Sequence, residues 1–222
     1  MQTKSDLAAS SHGATQAGNV LTLAGWQGSG PSHWQSRWEQ LHGYVRIKQH
    51  DWLRPLRGDW MAQLEDVLLS LDVERCGRAV LVAHSLGCLN VVAWAAHSRN
   101  THLVKAALLV APPDVERDEL RSLLPSWSPI ALNKLPFQTV LMASSNDPFC
   151  RLERAWQFAT AWGAEPVDAG PRGHLNANSA LGDWPEGYDK LMRLTASANA
   201  PMPQPNHIAA PADLKPTQAH ST

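Results

Sequence analysis

The sequence predicts an α/β protein built on a doubly wound, mostly parallel sheet of about six strands. Three observations carry that prediction. Short apolar runs alternate with stretches of helical periodicity along most of the chain. The runs at 20–25, 79–84 and 104–111 are almost continuously apolar, as strands buried on both faces must be. One of them, 79–84, passes through Ser85 straight into a helical stretch with only a small-residue turn between. A β-α-β-α order of this kind implies parallel strands joined by right-handed crossovers.

In chain order, the strands are expected at 20–25 (VLTLAG), 44–49 (YVRIKQ), 79–84 (AVLVAH), 104–111 (VKAALLVA), 138–144 (QTVLMAS) and 164–170 (AEPVDAG). After the first strand, Trp34, Trp38 and Leu41 fall at i, i+4, i+7, one stripe of a helix. Trp60, Leu64, Val67, Leu68 and Leu71 repeat the stripe after the second. Segments 86–98, 151–162 and 186–197 complete the alternation. Residues 1–17 read as a loose polar arm, about 18–196 as the folded domain, and 197–222 as a Pro-rich disordered tail.

Composition narrows the function classes. The 222 residues carry 19 Lys+Arg against 20 Asp+Glu, a formal net charge of −1, and no basic run that would hold a polyanion. Nucleic-acid binding is therefore not expected. Cys76, Cys88 and Cys150 form no disulfide framework and no C-x-x-C pair. The first residues lack the apolar core of a secretory signal, and no apolar run approaches the ~18 residues of a membrane span. A cytoplasmic protein with no membrane partner is expected. Ten tryptophans against two tyrosines is the odd feature of the composition.

The chemistry-bearing segment is 83–87, Ala-His-Ser-Leu-Gly. A serine at a tight strand-to-helix turn projects its hydroxyl above the sheet, the arrangement of a nucleophile elbow. The next N–H, on Leu86, lies at a helix N-terminus, where partial positive charge favours an oxyanion. The usual spelling is G-x-S-x-G, so Ala83 is a small departure. The bland alternative for Ser85 is an ordinary helix N-cap.

A nucleophilic serine needs a base and an orienting carboxylate, here expected in the order Ser, acid, His after late strands. Asp147 follows the strand 138–144, and His174 sits in the Gly-rich loop after 164–170. Asp114 and Asp168 also follow or flank strand ends and are the rival acids. Most other histidines lie in the tails or at the far end of the helix after Ser85, and His84 should point away from it across the strand. Cys88 reads as core packing. A second oxyanion donor is expected from 24–30 (AGWQGSG), with the N–H of Trp26 first and Gln27 next. Gln27 and Trp127 are the expected pocket residues. The same glycines, with Asp51 further on, also suggest a dinucleotide site, but their spacing is G-x-x-G-x-G and Pro31 follows at once. No ligand spacing suggests a metal.

With these residues in place, the chain resembles the α/β-hydrolase superfamily and, more narrowly, small serine hydrolases of the type of retinoblastoma-binding protein 9 and YdeN. The resemblance rests on GWQGSGPSHWQSRWE, the A-H-S-L-G turn, S-S-N-D-P-F and G-H-L-N, and covers roughly 19–195. It implies a catalytic triad of Ser85, Asp147 and His174, and a cofactor-free enzyme cleaving small ester or amide substrates. It also implies a compact variant lacking the first two antiparallel strands of larger relatives, since only a polar arm precedes the strand at 20. The segment 112–136 is expected either as a small cap over the site or as an ordinary crossover. The alternative function is a protein-interaction module with vestigial esterase activity, motivated by the Pro-rich tail.

Overall fold

Buried strands sort the chain into two faces. In the computed structural model, which describes residues 19–198, six parallel strands pair in the order β2-β1-β3-β4-β5-β6. They are β1 (Val20–Leu23), β2 (Val45–Arg46), β3 (Ala79–His84), β4 (Val104–Val110), β5 (Gln138–Ala143) and β6 (Glu165–Asp168). β3 matches its expected segment, and the other five lie within theirs but are shorter, because pairing stops where the chain leaves the sheet for a loop. No described helix is long and apolar enough to cross a membrane. The N-terminal arm and the Pro-rich stretch from 201 lie outside the described residues.

The period of two decides what each face buries. Leu21, Leu81, Leu109 and Leu141 face one way, against Trp60 and Leu64 of α2 (Arg57–Leu69), Trp94 of α4 (Leu86–His97) and Phe158 of α6 (Leu152–Trp162). Val20, Val80, Val82 and Leu108 face the other, against Trp34 and Trp38 of α1 (Trp34–His42) and Leu191 of α7 (Pro185–Ser197). The expected α1 stripe is only partly realised. Trp34 and Trp38 are fully buried, but Leu41 is 58% exposed, because the helix leaves the sheet before it stops at Gly43 in the left-handed region (φ 70°). Two single-turn helices, α3 (Val73–Cys76) and α5 (Asp118–Arg121), lie in connections.

Seven tryptophans are fully buried, and in six of them the indole N–H finds an acceptor, which explains why tryptophan rather than phenylalanine fills those places. Trp34 donates to Leu175 O (2.8 Å), Trp38 to Asp183 O (2.7 Å), Trp127 to Pro55 O (2.8 Å) and Trp162 to Ala131 O (2.8 Å). Each ring fills core volume while its edge ties down a carbonyl of a distant loop.

The strand order reverses at β1 and β3, whose outgoing connections run to opposite sides of the sheet. A crevice must open there, beyond the carboxyl ends of the two strands. Segment 112–136 is irregular. It holds α5 and a 3-10 turn at Pro125–Trp127 rather than a regular crossover helix, and Leu120 and Leu124 reach the wall of that crevice.

Candidate active site

Ser85 sits between the last residue of β3 and the first of α4 with φ 54° and ψ −123°. A non-glycine residue in this region costs about 1–3 kcal/mol and persists only when its surroundings impose it. Ser85 N donates to Val110 O of β4 (2.9 Å), and two glycines allow the close approach. A Cβ on Gly87 would stand 2.4 Å from Leu23 O, and one on Gly25 would stand 2.7 Å from the Cβ of Ser85. Ala83 lies in β3 with no exposed surface.

Three polar side chains from separate connections meet at this turn. Ser85 Oγ is 2.8 Å from His174 Nε2. On the other edge of the ring, His174 Nδ1 lies 2.8 Å from Asp147 Oδ2 and 3.0 Å from Oδ1. The carboxyl group of Asp147 is 2% exposed, and its Oδ1 also accepts from Phe149 N (2.9 Å). The two rival acids are occupied elsewhere. Asp114 pairs with Arg154 (3.5 Å), and Asp168 caps its own turn by accepting from Gly170 N (2.7 Å).

The loops carrying Asp147 and His174 are stitched together by groups the sequence reading passed over. Asn146 Oδ1 accepts from Gly173 N (2.7 Å) and from Ser144 Oγ (2.9 Å), while that hydroxyl accepts from Arg172 N (2.9 Å). His84 does point to the opposite face from Ser85, as strand alternation requires. That face, however, is where the His174 loop lands. His84 Nε2 donates to His174 O (2.9 Å), and the two rings lie 5.0 Å apart. His84 thus keeps the expected face and still lines the same cavity. Burial, then the neighbouring His174 and His33, hold its pKa well below the usual histidine value, so the ring is neutral. With the indole of Trp34 on Leu175 O, two ring donors brace the loop on both sides of the His174 peptide.

The loop after β1 closes as a tight turn. Gly28 N donates to Gly25 O (3.0 Å), with Gln27 at φ 66°. Gln27 N–H is committed to Trp52 O (3.0 Å), which removes the second-choice oxyanion donor. The backbone N–H groups of Trp26 and Leu86 make no hydrogen bond among the described residues, and both residues border the cavity beside Ser85. The Trp26 indole turns away, to Leu53 O (3.0 Å). Gln35, fully buried at the start of α1, holds this loop to the sheet. It accepts from Ser29 Oγ (2.8 Å) and donates to Leu23 O (3.1 Å) and Val82 O (3.0 Å).

The cavity has a volume of about 270 Å³, with apolar walls from Leu86, Pro113, Leu120, Leu124 and Phe149 and a polar floor around Ser85. Gln27 borders it, as expected. Trp127 does not. It is 1% exposed, edge-on to Trp60 (5.4 Å) and bonded to Pro55 O, so its expected role in the pocket is corrected to a core residue anchoring 112–136. The dinucleotide reading fails on Asp51, whose carboxylate is spent on Leu53 N and Arg54 N of its own turn (2.8 and 2.9 Å). Cys88 is buried, and burial pushes its thiol pKa well up. Among the described residues, no cluster of three or more His, Cys, Asp or Glu could hold a metal ion.

Comparison with known proteins follows this geometry. The family model described as "Serine hydrolase" matches residues 20–193. A protein described as a YdeN-like hydrolase, from Pectobacterium atrosepticum, is 27% identical with a TM-score of 0.70, over 82% of this chain and 93% of that one. The ydeN product of B. subtilis is 18% identical with a TM-score of 0.64, over 81% and 99%. Est1E of Butyrivibrio proteoclasticus, solved with ferulic acid bound, shares the fold at 13% identity and a TM-score of 0.61, over 84% and 92%. No curated protein matches the chain.

Proposed function

The chain belongs to the serine hydrolase family, and from that premise we propose that it cleaves small ester or amide substrates through an acyl-enzyme formed on Ser85. One observation carries the reading: the unbroken hydrogen-bonded chain from Ser85 Oγ through His174 to Asp147, at the floor of a small, mostly apolar cavity. With Asp147 holding Nδ1–H, His174 Nε2 is left as the acceptor for the serine proton. The serine oxygen then attacks the substrate carbonyl, and the oxyanion forms beside the free N–H groups of Leu86 and Trp26. His174 passes its proton to the leaving group. Water repeats the sequence to release the acid.

The cavity volume suits a short acyl group, and its leucine and proline walls favour an apolar one. We read the partner as a small-molecule substrate, with neither nucleic acid nor membrane. The cysteines among the described residues are all unpaired, which supports placing the enzyme in the cytoplasm. The interaction-module alternative rests on the Pro-rich tail, outside the described residues, and nothing in the site favours it.

A fluorophosphonate probe tests the nucleophile. The wild type should be labelled, with the adduct mapped by mass spectrometry to Ser85, and Ser85→Ala should be blank. Labelling that survives in Ser85→Ala refutes the assignment. A panel of p-nitrophenyl esters and aminoacyl amides, with the same variant as blank, then decides between ester and amide.

A further inference from the structure

An alcohol or amine released from the substrate needs its own place beside the acyl group. His174 must pass its proton to that departing group, so the group lies against the imidazole. Phe149 is the apolar side chain found there. Its ring stands edge-on to that of His174, with 4.6 Å between centroids, and the residue is 38% exposed. Phe149 borders the cavity of about 270 Å³ and also a second, more open hollow of about 680 Å³. His174 and Asn176 are the other residues common to both. The position is held by its backbone: Phe149 N donates to Asp147 Oδ1 (2.9 Å), and Phe149 O accepts from Asp114 N (3.0 Å).

We propose that Phe149 is a specificity-determining residue, its ring packing against the apolar body of the leaving group, an aryl or bulky alkyl alcohol or amine. This deepens the hydrolase reading and rests on it. Apolar side chains exposed singly on a surface need no explanation. Phe149 differs in its place, because its open ring lies beside the group that protonates the leaving atom and on the rim shared by the two hollows. The two sides of the site also come from different connections. Pro113, Leu120 and Leu124 belong to the segment after β4 and wall the acyl side, whereas Phe149 belongs to the loop after β5 that carries Asp147. Two backbone bonds and the contact with His174 hold the ring in position before substrate arrives. A leaving group with an apolar body covers this ring and removes both surfaces from water, which a small alkyl group cannot do.

The test is Phe149→Ala, which removes the ring and keeps both backbone bonds. Benzyl acetate and ethyl acetate probe the leaving side, since both give the same acetyl-enzyme and differ only in the alcohol. p-Nitrophenyl butyrate and p-nitrophenyl acetate probe the acyl side, since they share a leaving group. For each pair, the ratio of kcat/KM for the larger member to that for the smaller is compared between wild type and variant, so that intrinsic reactivity and any general loss of activity cancel. The wild type should favour benzyl acetate, and Phe149→Ala should lower the benzyl-to-ethyl ratio roughly tenfold, with a smaller change in the butyrate-to-acetate ratio. A wild type without that preference, a benzyl-to-ethyl ratio unchanged in the variant, or a fall confined to the acyl pair overturns the proposal. Phe149→Leu, which stays apolar but loses the ring, is measured in parallel and should lower the ratio by less, so that a folding defect in one variant leaves the other to decide. Turnover of the p-nitrophenyl esters by wild type but not by Ser85→Ala keeps this result separate from the hydrolase reading itself.

Discussion

Gly87→Ala is expected to damage catalysis without touching any reacting group. The added Cβ would stand 2.4 Å from Leu23 O, 2.9 Å from Leu23 C and 3.0 Å from Ala24 O. All three are backbone atoms at the end of β1, where Leu23 pairs with Ala83 of β3, so no side chain can swing aside. Ordinary contact begins near 3.4 Å, so α4 must retreat from β1 by about 1 Å. Overpacking of this kind costs about 1–3 kcal/mol, which in a domain of this size lowers Tm by roughly 3–10 °C. Ser85 begins that helix and moves with it, away from Trp26 and His174. A misplacement of about 1 Å costs on the order of a hundredfold in rate, or about 2.7 kcal/mol of activation free energy. Steady-state kinetics on an activated ester, with thermal melts by circular dichroism, would read both effects. Gly58→Ala is the control. Its Cβ meets nothing within 4 Å, and the helix α2 should gain a fraction of a kcal/mol, about 0.5–1. Wild-type kcat and Tm in Gly87→Ala would refute the argument from close approach.

Three further outcomes are expected. Asp147→Asn should lower kcat by about 10³–10⁴, because an amide in its place favours the wrong His174 tautomer, whereas Asp114→Asn loses only a partly exposed contact with Arg154. A larger effect from Asp114→Asn in ester kinetics would move the acid. Gln35→Leu strands the hydroxyl of Ser29 and two buried carbonyls, Leu23 O and Val82 O, and should destabilise the fold by about 3 kcal/mol in urea titration. His33 has its pKa lowered from 6.5 to about 4, so between those values the unfolded chain binds the extra proton and stability rises with pH. Unfolding free energy should therefore fall by about 3 kcal/mol as pH drops from above 6.5 to near 4, with His84 adding in the same direction. In His33→Asn the loss should be visibly smaller, and an unchanged pH dependence would show that His33 is not the source.

The strands, the serine turn and the order Ser, Asp, His could be read before any coordinates because each depends on local pattern. Continuous apolar runs mark strands covered on both sides, and a small-residue turn between strand and helix marks the elbow. The three proposed catalytic positions come from connections at the same edge of a parallel sheet, so topology alone brings their loops to one end. The tryptophan excess was visible as a number but not as a role. Trp127 carries no local sign that its ring turns into the core and its N–H to Pro55 O.

Asp147 is the acid the sequence points to, yet Asp114 and Asp168 stand as rivals, since all three lie near strand ends. Only tertiary contacts separated them, through Arg154 on one and Gly170 N on another. His84 and His33 show the same division. Strand alternation correctly gave the face of His84 but could not say that the His174 loop would cross that face. The cap of α1 is a local feature, yet the burial of the His33 ring that makes it comes from His84 and Trp34 packed against it. Hydrogen bonds between residues distant in sequence are set by how loops pack, and packing has no period that a sequence displays. The sequence by itself therefore determined the fold and the order of the reacting groups. The tertiary structure decided which carboxylate is in place, which amide is free and which histidine braces the His174 loop.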